Sequence, residues 1–391
     1  MNFKIISSKK ALSGKRVLVR VSLNVPFIYG SIGALYRGRL FSNAKTILYL
    51  KKRGATIFLI GHRGRPKGRR VSSLSLRPLI KPLTRILNSR VIFLKNPLSS
   101  DSLKRARSLP KGSIALFENI RFFSGEEKND LVFAKKLASF GDLYVNEAFA
   151  DSGNKHASIV LLPRLMESYA GFQFVKEVKE LSRFRKNYKK PRVVLIGGVK
   201  IETKLGVIEE LLRGGGDILL GGHVANIALF QKSGFSLKLS KNEMKASLSL
   251  KKIIKTSKNI FLPLDLVVRE GSGVKIKPAF HVTLKDSIID IGPETSVFFI
   301  KKLLKAETVL WNGPMGVIEK RDGERATKKI AEALAKARSK RIVGGGETVA
   351  YLEKIRLSKH FSFVSTGGGA MLKFIGEGTL LGIKAIEIRK N

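Results

Sequence analysis

Short runs of Val, Ile and Leu recur along the chain, and between them lie longer stretches in which apolar residues fall at helical spacing. Residues 16–21, 55–60, 91–94, 114–117 and 143–145 are apolar enough to be buried strands, and the pattern restarts with 193–196, 218–220, 260–262, 308–310 and 341–343. The stretch 41–53 predicts a helix with Phe41, Ile47, Leu48 and Leu50 on one inner face, stopped by Gly54. Strands alternating with helices predict a parallel sheet covered by helices. Two such sets predict an α/β fold class with two similar-sized, Rossmann-like parallel-sheet domains, 1–169 and 189–373. The segment between them, 170–188, carries Val175, Val178 and Leu181 among charges and has no Gly or Pro after Gly171, so it reads as a helix. A helical connection keeps two domains in a defined relation and permits a hinge at its ends.

Composition changes the picture through its distribution. The chain has 391 residues, with 74 Lys and Arg against 30 acids, a formal net charge of +44. No Asp or Glu precedes Asp101, while 22 Lys and Arg occur in the first hundred residues. That balance favours polyanionic partners, whether nucleic acid, an anionic membrane surface or phosphorylated substrates. A general drift of the whole proteome towards Lys and Arg explains it equally well. Cysteine is absent, which excludes disulfides and thiol chemistry. No apolar stretch approaches the roughly 20 residues that span a bilayer, and MNFKIISSKK is too briefly apolar for a signal peptide. A soluble cytoplasmic protein without membrane contact is the expectation.

In open α/β sheets ligands bind beyond the carboxyl ends of the strands. In the first half those positions are polar and basic: Ser22 and Asn24, then His62 and Arg65, then Arg121, with Arg39 at the start of the first helix. Guanidinium groups and an imidazole gathered there suit a ligand bearing phosphate and carboxylate together. In the second half the strand ends are glycine-rich: Gly197-Gly198 ahead of Lys200 and Lys204, Gly221-Gly222, then 312–316 (NGPMG), 344–348 (GGGET) and 366–369 (TGGG). Any one of these reads as a tight strand-to-helix turn. Five in one half favour backbone N–H groups and helix N-termini that cradle phosphates. Neither a Walker P-loop nor a spaced GxGxxG is present. One segment, GHRGRPKGRR at 61–70, has two readings: an AT-hook that lays arginines in a narrow minor groove, or a basic substrate loop at the end of a buried strand.

KRVLVRVSLNVP at 15–26, GHRGRPKG at 61–68, LFENIRF at 116–122, GEEKND at 125–130 and GGVKIETK at 197–204 resemble phosphoglycerate kinase. LPLDLVV at 262–268, DIGPET at 290–295, WNGPMGV at 311–317, GGGETV at 344–349 and VSTGGGA at 364–370 continue the resemblance in family order over nearly the whole chain. It implies a hinge-bending kinase that moves a phosphoryl group reversibly between ATP and the carboxylate of 3-phosphoglycerate, forming 1,3-bisphosphoglycerate and ADP in the reverse sense, within glycolysis and gluconeogenesis. It further implies a monomer, with glycerate bound by the N-terminal domain and Mg2+-nucleotide by the C-terminal one. By motif position Ser22, Asn24, Arg39, His62, Arg65, Arg121 and Asn154 fall on the glycerate side. Gly197, Gly198, Lys200, Lys204, Gly222, Asn312, Pro314, Glu319, Gly345, Gly346, Glu347 and Thr348 fall on the nucleotide side, with Glu347 on the metal. Arg39 and Lys204 take the catalytic positions, and residues 374–391 are implied to pack back on the first domain.

Several departures lie within those motifs. Ser22 stands where the family has an aspartate thought to contact the substrate hydroxyl. Residues 150–158 read ADSGNKHAS against the usual GTAHRAHAS, so Asn154, beside Lys155, replaces an arginine. Glu347 replaces the aspartate that holds Mg2+, His223 the third glycine of a GGG, and Ile288 a glycine near the adenine. These leave open a different nucleotide preference, an altered substrate, or a catalytically impaired member that binds nucleic acid and other polyanions through its basic N-terminal half.

Overall fold

The computed structural model describes residues 2–25, 27–28, 31–32, 37–233 and 239–388. The chain divides into two compact units, Met1–Lys179 with Thr379–Asn391, and Glu180–Gly378. The helix Phe172–Lys186 carries the chain from one to the other.

The first unit contains β1 (Arg16–Arg20), the two-residue hairpin strands β2 (Phe27–Ile28) and β3 (Ser31–Ile32), then β4 (Thr56–Ile60), β5 (Val91–Leu94), β6 (Ile114–Phe117), β7 (Leu143–Asn146) and β8 (Glu167–Ala170). Six of these form a parallel sheet in the order β5-β6-β4-β1-β7-β8. Its central strands are buried on both faces, which is why they read as unbroken apolar runs. Val17, Val19, Ile57, Leu59 and Leu116 pack with Ile47, Leu50, Leu83 and Leu87 of the helices on one face. On the other, Phe58 stacks on Phe117 at 6.0 Å, and Phe117 meets Phe140 edge-on at 4.8 Å.

The second unit repeats the plan with β9 (Arg192–Ile196), β10 (Asp217–Leu220), β11 (Ile260–Phe261), β12 (Asp265–Glu270), β13 (Gly273–Pro278), β14 (Ser287–Ile291), β15 (Thr308–Asn312), β16 (Lys340–Gly344) and β17 (Phe363–Val364). The parallel sheet runs β11-β10-β9-β15-β16-β17, and β13-β12-β14 is a separate antiparallel sheet. Trp311, the single tryptophan, is fully buried in β15.

Two local expectations need correction. The stretch 41–53 is not one helix but Arg37–Ser42 followed by Ala44–Lys52. Asn43 between them is buried and donates to the Ser22 carbonyl at 3.4 Å. Asn43 keeps right-handed helical angles (φ -80°, ψ -18°), and Phe41 and Leu48, seven residues apart, share one exposed face while Thr46, Ile47 and Leu50 point inward. At the C-terminal end, helix Gly369–Glu377 packs on helix Leu205–Gly214 of the second unit. Gly378, at φ 78°, then turns the chain, so the return to the first unit begins at Thr379 and not at 374. There the Gly382 N–H donates to the Ser152 carbonyl and the Ile388 N–H to that of Asn2, both at 2.8 Å.

Candidate active site

At the carboxyl ends of the first sheet, a buried polar cluster is organised around Arg20, the last residue of β1. Its guanidinium is fully enclosed and donates to the Val21 carbonyl (2.7 Å), the Ser158 hydroxyl (3.0 Å) and the Asp151 carboxylate (3.0 Å), and its Nη2 lies 3.0 Å from His62 Nδ1. A guanidinium only donates, so Nδ1 of His62 accepts and the imidazole proton resides on Nε2. Nε2 faces Asp151 Oδ1 at 3.8 Å. Burial pushes the His62 pKa down to about 3; Asp151 opposes this while Arg20, Arg121 and His156 add to it. The imidazole is therefore neutral near pH 7 and serves as a hydrogen-bonding group.

Behind Arg20 the Ser158 hydroxyl donates to Glu126 at 2.6 Å, and the Ser158 N–H donates to the same carboxylate at 2.9 Å. Glu126 is fully buried, which raises its pKa. Arg121, after β6, donates to the Gly64 carbonyl at 2.9 Å and lies 3.4 Å from Glu127. The Asn24 side chain accepts from the Gly64 N–H at 3.0 Å, tying the end of β1 to the 61–70 loop. Arg63, in that loop, is buried and donates to the carbonyls of Val25 (3.1 Å) and Ser75 (3.3 Å).

Thus Ser22, His62 and Arg121 converge with Arg20 and Asp151, while Asn24 braces the loop. Arg65 is exposed, and Asn154 sits half-buried in the turn after Asp151 with its N–H bonded to the Asp151 carbonyl. The side chain of Arg39 lies outside the described residues; its backbone belongs to helix Arg37–Ser42. Arg20, Asp151, Glu126, Ser158 and His156 were not singled out from sequence. For Arg20 a signal existed, a charge inside the apolar run RVLVR.

In the second unit the glycine loops pack on one another. The Gly197 N–H donates to the Asn312 carbonyl (2.9 Å), Gly198 to Pro314 (2.8 Å) and Gly222 to Met315 (2.9 Å). A Cβ on Gly197 would lie 2.1 Å from the Pro314 oxygen, and one on Gly222 2.6 Å from the Gly198 nitrogen. These glycines let three strand-end loops close together. The Asn312 side chain donates to the Gly344 carbonyl at 3.0 Å, and Thr348, fully buried, accepts from the Gly313 N–H at 3.0 Å. Gly345, at φ 104°, leads into helix Gly346–Lys354, and a Cβ on Gly346 would meet nothing within 4 Å.

Lys204 is buried beside this cradle, and burial lowers its pKa to about 8, opposed by the nearby charges of Glu347 and Glu202. Lys200, Glu319 and Glu347 are exposed, Glu347 in the first turn of the Gly346 helix. His223 is exposed, and Ile288 on β14 packs against the apolar core of the unit. Among the described residues no cluster of three or more His, Cys, Asp or Glu forms a metal cage, and no helix is long and apolar enough to cross a membrane.

Two parallel α/β units, one with a cationic, imidazole-bearing cluster and one with a glycine cradle and a buried lysine at the strand ends, define a protein equipped for anionic ligands. The family model described as phosphoglycerate kinase matches residues 7–378. A phosphoglycerate kinase of Borreliella afzelii is 37% identical over 395 residues, covering 99% of this chain and all of that protein. Among solved structures, phosphoglycerate kinase from Coxiella burnetii aligns with TM-score 0.80 at 34% identity, and that from Pyrococcus horikoshii with 0.85 at 27%, each covering 98% of both chains. The chain belongs to the phosphoglycerate kinase family, a family of phosphotransferases of glycolysis.

Proposed function

We propose that this protein transfers a phosphoryl group reversibly between ATP and the carboxylate of 3-phosphoglycerate, with the acceptor held by the first unit and the nucleotide by the second. The observation that carries the reading is the gathering of His62 and Arg121 at the strand ends of the first sheet, His62 held from behind by the enclosed guanidinium of Arg20. Ser22, Asn24, Arg39, Arg65 and Asn154 complete the acceptor side. Guanidinium groups recognise phosphate and carboxylate by paired N–H donors, and neutral His62 adds one Nε2–H donor.

On the nucleotide side, Gly197, Gly198, Gly222, Asn312 and Pro314 shape the cradle, Thr348 fixes the turn, and the N–H groups at Gly345 and Gly346 face the phosphates as a helix N-terminus does. Lys200 and Glu319 flank it. Phosphoryl transfer depends on alignment and on neutralising charge on the equatorial oxygens. Lys204 meets that need from a desolvated position, where its ammonium acts more strongly than in water, and Arg39 meets it from the acceptor side. This chemistry requires the ligands of the two units to meet in line during turnover.

The donor set fits Mg2+, which one or two carboxylates and the substrate phosphates normally hold. Exposed Glu347, within electrostatic reach of Lys204, would be the protein ligand. The ion, when bound, draws negative charge off the phosphates. We assign the protein to the cytoplasm as a monomer.

The test is ADP-dependent consumption of 1,3-bisphosphoglycerate by the purified protein. Turnover is expected; none above background at low and at moderate salt overturns the reading.

A further inference from the structure

The substrate assigned above carries, besides phosphate and carboxylate, a hydroxyl on C2, and a pocket of guanidinium and imidazole N–H donors offers that hydroxyl no strong acceptor. The position at the end of β1 that would place a carboxylate there is Ser22 in this chain. The structure nevertheless holds a carboxylate at that spot. Asp151, which stands where the resembling sequences have threonine, reaches back from the turn after β7, and its Oδ2 accepts from the Ser22 hydroxyl at 3.4 Å and from Arg20 Nη1 at 3.0 Å. Its Oδ1 faces His62 Nε2 at 3.8 Å. Ser22 and Asp151 are 129 apart in sequence.

We infer that Asp151 is the substrate-binding carboxylate of this protein, the acceptor for the C2 hydroxyl, relocated from the end of β1 to the segment after β7. The inference rests on the glycerate reading of the first unit. The neighbouring acid cannot take the role, because Glu126 is fully buried and occupied by the Ser158 N–H and hydroxyl. Asp151 keeps a tenth of its side chain exposed. Each of the two substitutions explains the other. Aspartate at both positions would set two carboxylates side by side with Arg20 as their shared cation, whereas serine at 22 removes the repulsion and supplies a hydroxyl that donates to Asp151. A hydroxyl held by a charged acceptor also makes the site selective, since a ligand lacking it leaves the carboxylate without that partner.

The experiment measures binding of 3-phosphoglycerate and of its analogue without the C2 hydroxyl, 3-(phosphonooxy)propanoate, to the full chain. The variants are wild type, Asp151→Asn, Asp151→Thr and the exchange Ser22→Asp/Asp151→Thr, with KM and kcat for each. Wild type is expected to prefer 3-phosphoglycerate by roughly ten- to a hundredfold, the range of a hydrogen bond to a charged group. Asp151→Asn and Asp151→Thr lose that preference while binding of the analogue changes little, and the exchange restores it. If the Asp151 variants weaken both ligands equally, the carboxylate merely holds Arg20 in place and the inference is overturned. Should an Asp151 variant fail to fold, the exchange variant decides: folding without recovered discrimination also overturns it. Failure of the underlying reading looks different, because wild type itself would then bind neither ligand.

Discussion

The glycine runs of the second unit look alike in sequence but occupy two physical situations, and Gly197→Ala against Gly346→Ala separates them. At Gly197 the new methyl would lie 2.1 Å from the Pro314 oxygen and 2.5 Å from the Met315 methyl, so backbone must move by roughly 1 Å. Movement of the loop strains the Gly197 N–H bond to Asn312 and the Gly198 N–H bond to Pro314. Each such bond is worth about 1 kcal/mol, and forced overpacking costs about 1–3 kcal/mol, giving about 3–5 kcal/mol in all. For a unit of this size that lowers the melting midpoint by on the order of 10 °C. At Gly346 nothing lies within 4 Å and the residue begins a helix, so alanine is neutral or stabilises by up to ~1 kcal/mol. Trp311 reports on both, because it is the single tryptophan, is buried in β15, and its indole N–H donates to the Gly313 carbonyl at 2.8 Å within the same loop cluster. Urea and thermal denaturation followed by its fluorescence give the two stabilities. Gly197→Ala within ~0.5 kcal/mol of wild type, or equal destabilisation by both substitutions, refutes the close-packing argument.

Three other outcomes follow from the same geometry. Lys204→Met should lower kcat by at least roughly a hundredfold without lowering stability at pH 7, since a buried ammonium is replaced by an apolar chain; and because the folded pKa of Lys204 is about 8 against an ordinary 10.5, the unfolded chain binds the extra proton between these values, so wild-type stability gains from this group as pH rises through that window and Lys204→Met abolishes the gain. For His62, with a folded pKa near 3 against 6.5, the unfolded chain again binds the extra proton, so stability is lost as pH falls from 6.5 towards 3; urea midpoints at pH 7 and 4.5 should converge in His62→Gln relative to wild type. Arg63→Ala removes donors from the Val25 and Ser75 carbonyls and should cost about 1–3 kcal/mol at low and high salt alike, whereas Arg69→Ala, at an exposed position, should stay within ~0.5 kcal/mol by the same denaturation assay.

The strands most plainly legible in the sequence are those that parallel pairing buries on both faces, such as β1, β4 and β15, while the edges β5 and β11 were legible from their Val, Ile, Leu and Phe content alone. Those that could not be read are edges or half-exposed. β8 has only Tyr169 and Ala170 inward, β17 is two residues long, and β13 is exposed along most of its length. The interruption at Asn43 was hidden because the backbone stays in the right-handed helical region there, so the apolar periodicity runs on through it. The same division runs through the site. Residues in the loops that follow buried strands, among them His62, Arg121 and Lys204, were visible by residue type, since cations at the carboxyl edge suit an anion. Asp151 was not, because its meaning lies in its distance to Ser22 and Arg20, which only the folded sheet sets.

The loop 61–70 shows how tertiary anchoring decides between two readings of identical residues. A minor-groove motif needs an extended chain with its arginines available. Here His62 and Arg63 are buried, the Arg63 guanidinium is spent on the carbonyls of Val25 and Ser75, and the Arg63 carbonyl accepts from Asn119 at 2.7 Å. Gly64 is pinned from both sides, its N–H on Asn24 and its carbonyl on Arg121, and at φ 65° a Cβ there would lie 2.6 Å from Leu74. The first arginine of the apparent RGRP core is thus a structural strut. Lys67 and Arg69 are exposed, and Arg70 donates to the Lys95 carbonyl at 3.3 Å. Charges of that kind attract polyanions only through a salt-screened field. Arg65, exposed in the same loop, is the arginine of this segment that the proposed reading gives to the substrate phosphate, and one guanidinium on an anchored loop is too little for a minor-groove motif.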